Sequence, residues 1–309
     1  MNNTLKTIIW ITTAIAIISL GIAAVLFFAT DMTGLWDKGN GLTVDEQEAF
    51  DVSGIGKLEV QTSSTDVYLS AGQGNLIEIR LHGTVYTGQA DAVPTLAANQ
   101  DGSTLEISTE RRDGRKWMLG FFSSDLVLEI QVPKQYRGSL NMNTSSGDVQ
   151  IDDQILSELN VETSSGTIRL GSVQAAAITM DSSSGDQTAE GMIAKSSEMT
   201  SSSGEIRVTG LEGGTRVESS SGDITLRCAA FTADMDVRSS SGDVELYLTE
   251  EAEFRVEAKT SSGDIDCAFP VTLNGEDGET RRNRLNGKVG GGTHRVVVQT
   301  SSGDITIRP

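Results

Sequence analysis

From residue 139 onward apolar and polar residues alternate with a period of two, and a short polar punctuation recurs about every twenty residues. Five residues before each punctuating glycine stand Met142, Val161, Met180, Met199, Val217, Val237, Ala258 and Val298. Two after it stand Val149, Ile168, Gln187, Ile206, Ile224, Val244, Ile265 and Ile305, and four after it Ile151, Leu170, Ala189, Val208, Leu226, Leu246, Cys267 and Ile307. A spacing of two puts these residues on one buried face of a strand. Helical spacing is absent here. Each unit reads as strand, turn, strand and variable return loop.

The punctuation is Ser/Thr-Ser-Ser-Gly, followed by an acidic residue in seven of eight copies, with glycines at Gly147, Gly166, Gly185, Gly204, Gly222, Gly242, Gly263 and Gly303. The gaps are 19, 19, 19, 18, 20, 21 and 40 residues, the last close to two units. A fixed period with a turn in every unit marks a stacked repeat. The predicted fold is therefore all-β, a β-solenoid (β-helix) of 19–21-residue repeats. The alternative is a β-propeller, since two units approach one blade of about 40–45 residues. The solenoid is preferred because odd and even units do not differ.

Glycine is invariant at its position, as expected where the backbone needs φ > 0. The acidic residue after it can accept a bond from a nearby turn amide. The Ser or Thr three before it, from Thr144 to Thr300, forms a column of hydroxyls able to bond along the stack. Two carboxylates one rung apart, roughly 4.8 Å, repel by about 0.9 kcal/mol in water-like dielectric. One side-chain-to-turn hydrogen bond returns about 1 kcal/mol. The column therefore needs no metal. Calcium is the minor alternative, because β-roll sites use a Gly-Gly-x-Gly-x-Asp run that is missing here.

The first thirty residues differ. Residues 1–7 form a short N-terminus, and 8–29 are an uncharged apolar stretch long enough to span a bilayer. Phe27 stands where a signal-peptidase site wants a small residue, so the stretch reads as an uncleaved transmembrane helix. Lys6 before it and Asp31 and Asp37 after it place the N-terminus in the cytoplasm and the C-terminal part outside the plasma membrane. Residues 30–54 read as a flexible linker, 55–138 as a degenerate capping part of the solenoid, and 139–309 as the repeat with a loop insertion at 270–293.

Lys6 is the one charge among the first thirty residues, so residues 31–309 carry 23 basic and 43 acidic side chains, a net of −20. Such a surface repels nucleic acid. Cys228 and Cys267 read as small buried residues whose rungs differ by two, too far for a disulfide.

The Ser-Ser-Gly-Asp-Val/Ile units, Val132-Pro133-Lys134 before them, and the close Gly290-Gly291-Gly292…Thr300-Ser301-Ser302-Gly303-Asp304-Ile305 resemble the β-strand-repeat family of bacterial proteins named putative adhesins. The resemblance covers about residues 55–309. Some members, with one N-terminal span, look like products of envelope-stress operons, which implies a cell-envelope role without a mechanism.

Catalytic motifs are missing. His82 and His294 stand far apart, and neither a His-Glu-x-x-His, a Gly-x-Ser-x-Gly nor a phosphate loop occurs. No catalytic, cofactor or metal residue is assigned, and an enzyme is not expected. Two segments break the repeat with basic charge: Arg115, Lys116, Trp117 and Phe121, and the island Arg281, Arg282 and Arg284. Each is a candidate partner contact; the structural alternatives are an aromatic cap over the open core and a solvated hairpin. The chain reads as a non-catalytic, membrane-anchored envelope protein presenting a rigid solenoid for adhesion or partner contact. The alternative is a sensor or regulatory subunit of an envelope-stress response.

Overall fold

The computed structural model describes residues 41–87, 93–111, 122–273 and 279–309. The apolar stretch 8–29 lies outside them, as do Arg115, Lys116, Trp117 and Phe121. Among the described residues no helix is long and apolar enough to cross a membrane, and every regular element is a strand. Contacts divide the chain into two units. The smaller comprises Met1–Thr43, Thr84–Val93 and Arg111–Ser124, and its described part consists of strand ends. The larger comprises Val44–Gly83, Pro94–Glu110 and Asp125–Pro309.

Within the larger unit the strands stack parallel and in register. Val161 sits opposite Met180, Met180 opposite Met199, and Met199 opposite Val217. Parallel stacking of equivalent positions makes a β-solenoid and overturns the propeller alternative, whose blades are four-stranded meanders. Each rung has more wall than the repeat pattern predicts. Strand Ile168–Ser182 pairs with Gln187–Ser201 along three stretches: after the turn (Ile168–Leu170), on the return (Ser172–Ala175), and before the next turn (Ala177–Ser182). The expected return loop is thus a third wall in these rungs.

The three predicted apolar columns face inward. All eight residues five before the glycines are buried, and a further column seven before them, including Leu140, Leu159, Ile178 and Met235, is buried as well. Gln187, in an otherwise aliphatic column, is fully buried and donates from Nε2 to the carbonyl of Thr200. Ile265 and Cys267 are half-exposed. Their strand, Ile265–Cys267, lies at the end of the stack: one flank pairs with Ile305–Ile307, and on the other the Ile265 N–H donates to the Arg282 carbonyl at 2.9 Å.

The rungs do not stack in chain order. Strand His294–Ser302 lies between Met235–Ser241 and Phe254–Ser262, and Ile305–Arg308 lies between Val244–Tyr247 and Ile265–Cys267. The last rung of the sequence is therefore the penultimate rung of the stack. The other end uses the same device. Strand Lys57–Gln61 pairs on one side with Ser139–Thr144 and on the other with Thr104–Arg111, and Asp66–Gly72 is flanked likewise by Val149–Ile151 and Phe122–Pro133.

This order corrects several expectations. Among the described residues the forty-residue gap holds no hidden rung. Instead Arg284–Val289 runs antiparallel along the outer edge of Phe254–Ser262 and in turn carries Thr272–Leu273 and Glu279–Arg281. The predicted loop insertion at 270–293 is thus a cap that pairs an otherwise open sheet edge. Gly290–Gly292 then carry the chain to the other flank of the same strand, since Phe254 faces both Val289 and His294. Cys228 and Cys267 stand three rungs apart, not two. Both are free and half-buried, and burial pushes the Cys228 thiol up to about 11. Finally, Leu42–Asp51 forms a strand within the stretch read as a linker at 30–54.

Candidate functional site

Two places in the stack collect polar chemistry: the turn column and a groove where the return wall begins. In the turn column, an aspartate carboxylate oxygen of one rung accepts the backbone N–H of the equivalent residue in the next. Asp66 accepts from Asp148, Asp148 from Thr167, and Asp186 from Glu205, each at 2.9 Å. Asp223 accepts from Asp243 at 2.9 Å, Asp243 from Asp304 at 2.8 Å, and Asp304 from Asp264 at 2.8 Å. The ladder follows stacking order, not chain order. Among the described residues it skips a step after Thr167 and after Glu205, whose side chains have the wrong reach. The acidic residue therefore bonds the next rung, not its own turn.

Its last member, Asp264, has no further rung to serve. Arg282 closes it with two hydrogen bonds, the Nη2–Oδ2 one at 2.9 Å. That guanidinium holds the Asp264 carboxyl below the usual carboxylate range. At Asp148 burial acts upward, but the Thr167 amide and Arg169 outweigh it and the net displacement is down. Groups depressed in this way contribute stability above the ordinary carboxylate range and lose it as pH falls through their lowered values. We expect Asp243→Ala to cost about 1 kcal/mol and Asp243→Asn, which keeps an acceptor oxygen, less than half of that. Urea melts of the two variants check this; equal losses would mean that the ladder bond contributes nothing.

The hydroxyl column also differs from its expected use. Thr144, Thr163, Ser182 and Ser201 accept the N–H of their own turn glycine at 2.8–3.2 Å. Bonding along the stack occurs at the ends, as in Thr62 to Thr144 at 2.9 Å and Thr260 to the Gly303 carbonyl at 3.0 Å.

The groove, about 790 Å³, opens where two rungs part. Asp66–Gly72 pairs with Phe122–Pro133 as far as Gly72, but with Val149–Ile151 only from Val67 to Leu69. The last bond between the diverging chains is Asp152 N–H to the Leu69 carbonyl, 2.9 Å. Beyond it, among the described residues, the two-residue strand Gln154–Ile155 takes its register from Val173 and Gln174 alone, until the Ser157 N–H rejoins the neighbouring rung at the Gly138 carbonyl, 3.0 Å. The facing bank is built by the turn after Pro133. Tyr136, 3% exposed, anchors that turn through its hydroxyl to the Ser139 carbonyl at 2.7 Å. Lys134 and Arg137 project from it at the surface.

The groove is lined by two cations and two carboxylates, without a direct ion pair between them among the described residues. Asp152 accepts from the Tyr68 hydroxyl, and Asp153 accepts the Ser172 N–H at 2.9 Å. Among the described residues neither Lys134 nor Arg137 has a carboxylate partner; Arg137 donates to the carbonyls of Lys134 and Tyr136. Ile155 and Ile193 are 46% and 41% exposed. Gln154 is 6% exposed, and its Nε2 is buried without an acceptor.

The residues singled out from sequence lie elsewhere. Arg115, Lys116, Trp117 and Phe121 are outside the described residues, and of Arg281 only the backbone is described. Arg282 is engaged by Asp264, and Arg284 sits on the strand that caps Phe254–Ser262. The eight glycines form one column. His82 approaches Glu129 at 3.4 Å, while His294 packs edge-on against Phe231. No run of charge marks Lys134, Arg137 and Gln154 in the sequence; the one signal was Pro133, which ends a strand.

A family model described as Toastrack DUF4097 matches residues 55–308. No curated protein matches the chain. Among solved structures, a putative adhesin from Bacteroides fragilis is similar at 15% identity, covering 85% of this chain and 97% of its own, with a TM-score of 0.51. A putative adhesin from Parabacteroides distasonis is 11% identical over 87% and 98% of the two chains, TM-score 0.45. A putative lipid binding protein from the same species is 16% identical over 85% and 96%, TM-score 0.44. At such identities the likeness is one of fold.

Proposed function

The chain belongs to the Toastrack DUF4097 family, and on that premise we propose that it is a non-catalytic, membrane-anchored envelope protein that holds its solenoid out for a protein partner. Residues 8–29 supply the anchor, and the ladder-bonded stack supplies a stiff support. The observation that carries the reading is the groove at Gln154–Ile155. It sets the exposed Ile155 and Ile193 beside the surface cations Lys134 and Arg137, an apolar patch with a charged rim of the kind that partner contacts use. The acidic turn column is engaged in bonding rung to rung, so no metal enters the proposal.

Two measurements test it together. Protease added to intact spheroplasts is expected to remove residues 31–309, and protection of the whole chain would refute the anchor and its orientation. A photo-crosslinker placed at Ile193 is expected to give a discrete protein adduct in living cells. The same group at Thr188, on the after-turn wall, is expected to give none. Indistinguishable patterns from the two positions would end the partner reading at this wall.

A further inference from the structure

We infer that the outer face of the C-terminal cap binds the acidic turn column of a second copy of this chain. Strand register defines the face. Phe254–Ser262 has Arg284–Val289 on one flank and His294–Ser302 on the other, and Arg284–Val289 carries Thr272–Leu273 and Glu279–Arg281 beyond it. Phe254, Val256, Ala258, Leu285 and Val289 are buried, so the alternate residues share the outer face. There Arg255 stands between Lys288 and Arg295, and Lys259 stands opposite Arg284, which is itself opposite Arg281 in register. Two files of three cations therefore cross the strands. Neighbours in a file are roughly 4.8 Å apart and the files about 13 Å apart, with Glu279, Asn286 and Glu257 in register between them.

Like charges directly opposite one another destabilise a sheet, and here they are not relieved from within. Glu257 is taken by Arg295 at 2.9 Å, and Glu253 accepts from the Thr293 hydroxyl at 3.3 Å. Among the described residues Arg255, Lys259 and Lys288 have neither a hydrogen bond nor an ion pair. Three features choose the occupant. From Arg284 to Lys288 and along Phe254–Ser262 both flanks are paired, so the face offers side chains and no open edge. Its exposed side chains are polar, which leaves a hydrophobic partner no anchor.

The third feature is the charge repeat, which equals the rung spacing. The turn column has the same repeat with the opposite sign. Asp223, Asp243 and Asp304 stand exposed on successive rungs, and each gives only its Oδ1 to the ladder. Their Oδ2 atoms have no hydrogen-bond partner among the described residues. Two copies with aligned axes set three carboxylates in step against three cations. A linear polyanion would neutralise the cations alone, and a metal ion the carboxylates alone. A second copy neutralises both surfaces.

Sedimentation velocity of the full chain in neutral detergent micelles tests this. The parent is expected to associate at roughly 20 mM salt and to be monomeric at about 0.5 M, where the screening length is about 4 Å. Arg255→Glu with Lys259→Glu and Lys288→Glu is expected to weaken association by roughly tenfold or more. Asp223→Asn with Asp243→Asn and Asp304→Asn, which keeps the ladder's acceptor oxygens, is expected to do the same. Circular dichroism verifies folding; should reversal unfold the cap, Lys259→Gln with Lys288→Gln reads the same loss. An equimolar mixture of the two triple variants joins the intact column of one to the intact patch of the other, and association is expected to return. A parent that stays monomeric at low salt, a patch reversal without effect, or a mixture that stays monomeric overturns the proposal. Inorganic polyphosphate bound by a monomeric parent through Lys259 and Lys288 would instead assign the patch to a polyanion. The Ile193 crosslink in cells is expected to survive the patch variants, so failure here leaves the groove reading in place.

Discussion

Removing residues 294–309 is expected to unfold the region from Phe254 to Val289 as well, although the deletion takes only the end of the chain. The deleted rung sits between the Gly242 and Gly263 rungs and buries Val296, Val297, Val298, Ile305 and Ile307. At about 1.5–3 kcal/mol for each buried aliphatic side chain, their gross contribution is roughly 8–15 kcal/mol, comparable to the whole stability of a domain. Two faces would be opened by one deletion. Phe254, with Phe231 and Phe269 edge-on at 5.9 and 5.3 Å, would lose the strand that runs beside it. Hydrogen exchange measured along the truncated chain should show Phe254–Ser262 and Arg284–Val289 unprotected while the rungs from Gly147 to Gly204 stay protected. Retained protection at Phe254–Ser262 would mean that the Gly263 rung can pair directly on the Gly242 rung, and that the inserted order is dispensable.

The repeat's inward columns were legible because a period of two leaves one arrangement that buries Met142, Val161 and Met180 together. The order of the rungs was not. Equivalent positions in every unit are nearly alike, so Val237 can face Val298 as readily as Ala258, and apolar pattern alone does not choose. The choice is made by Gly290–Gly292, whose tight crossover takes the chain from one flank of Phe254–Ser262 to the other. The return wall was hidden for a different reason. Its inward residues include the small Ala175 and Ala194, and its pairing slips between Ile193 and Ser196, so the alternation fades where the strand continues. The groove is a place where pairing stops, and sequence periodicity reports pairing that exists.

Replacing Gly204 with valine is expected to lower stability by at least about 3 kcal/mol, or roughly 6–12 °C in melting temperature for a unit of this size. The cause is not the one that an invariant turn glycine first implies. Gly242, Gly263 and Gly303 do have positive φ, but Gly147, Gly166, Gly185, Gly204 and Gly222 do not. What every member of the column shares is close approach. A Cβ at Gly204 would fall closer than 3.0 Å to the carbonyl of Gly185, and one at Gly222 closer than 3.0 Å to that of Gly204. The obstacle is backbone, and it cannot step aside. The Ser202 N–H is bonded to the Ser182 carbonyl, the Gly204 N–H to the Ser201 hydroxyl, and the Glu205 N–H to Asp186 on the rung before. Gly54 separates the two causes. Its φ is 91° and nothing lies within 4 Å of a Cβ there, so Gly54→Ala carries conformational strain alone, about 1–2 kcal/mol. Gly204→Ala should therefore exceed Gly54→Ala, and Gly204→Val should exceed both. A Gly204→Val chain that melts with the parent would show that the rungs do not stack through their glycines, and the order of the ladder would have to be drawn again.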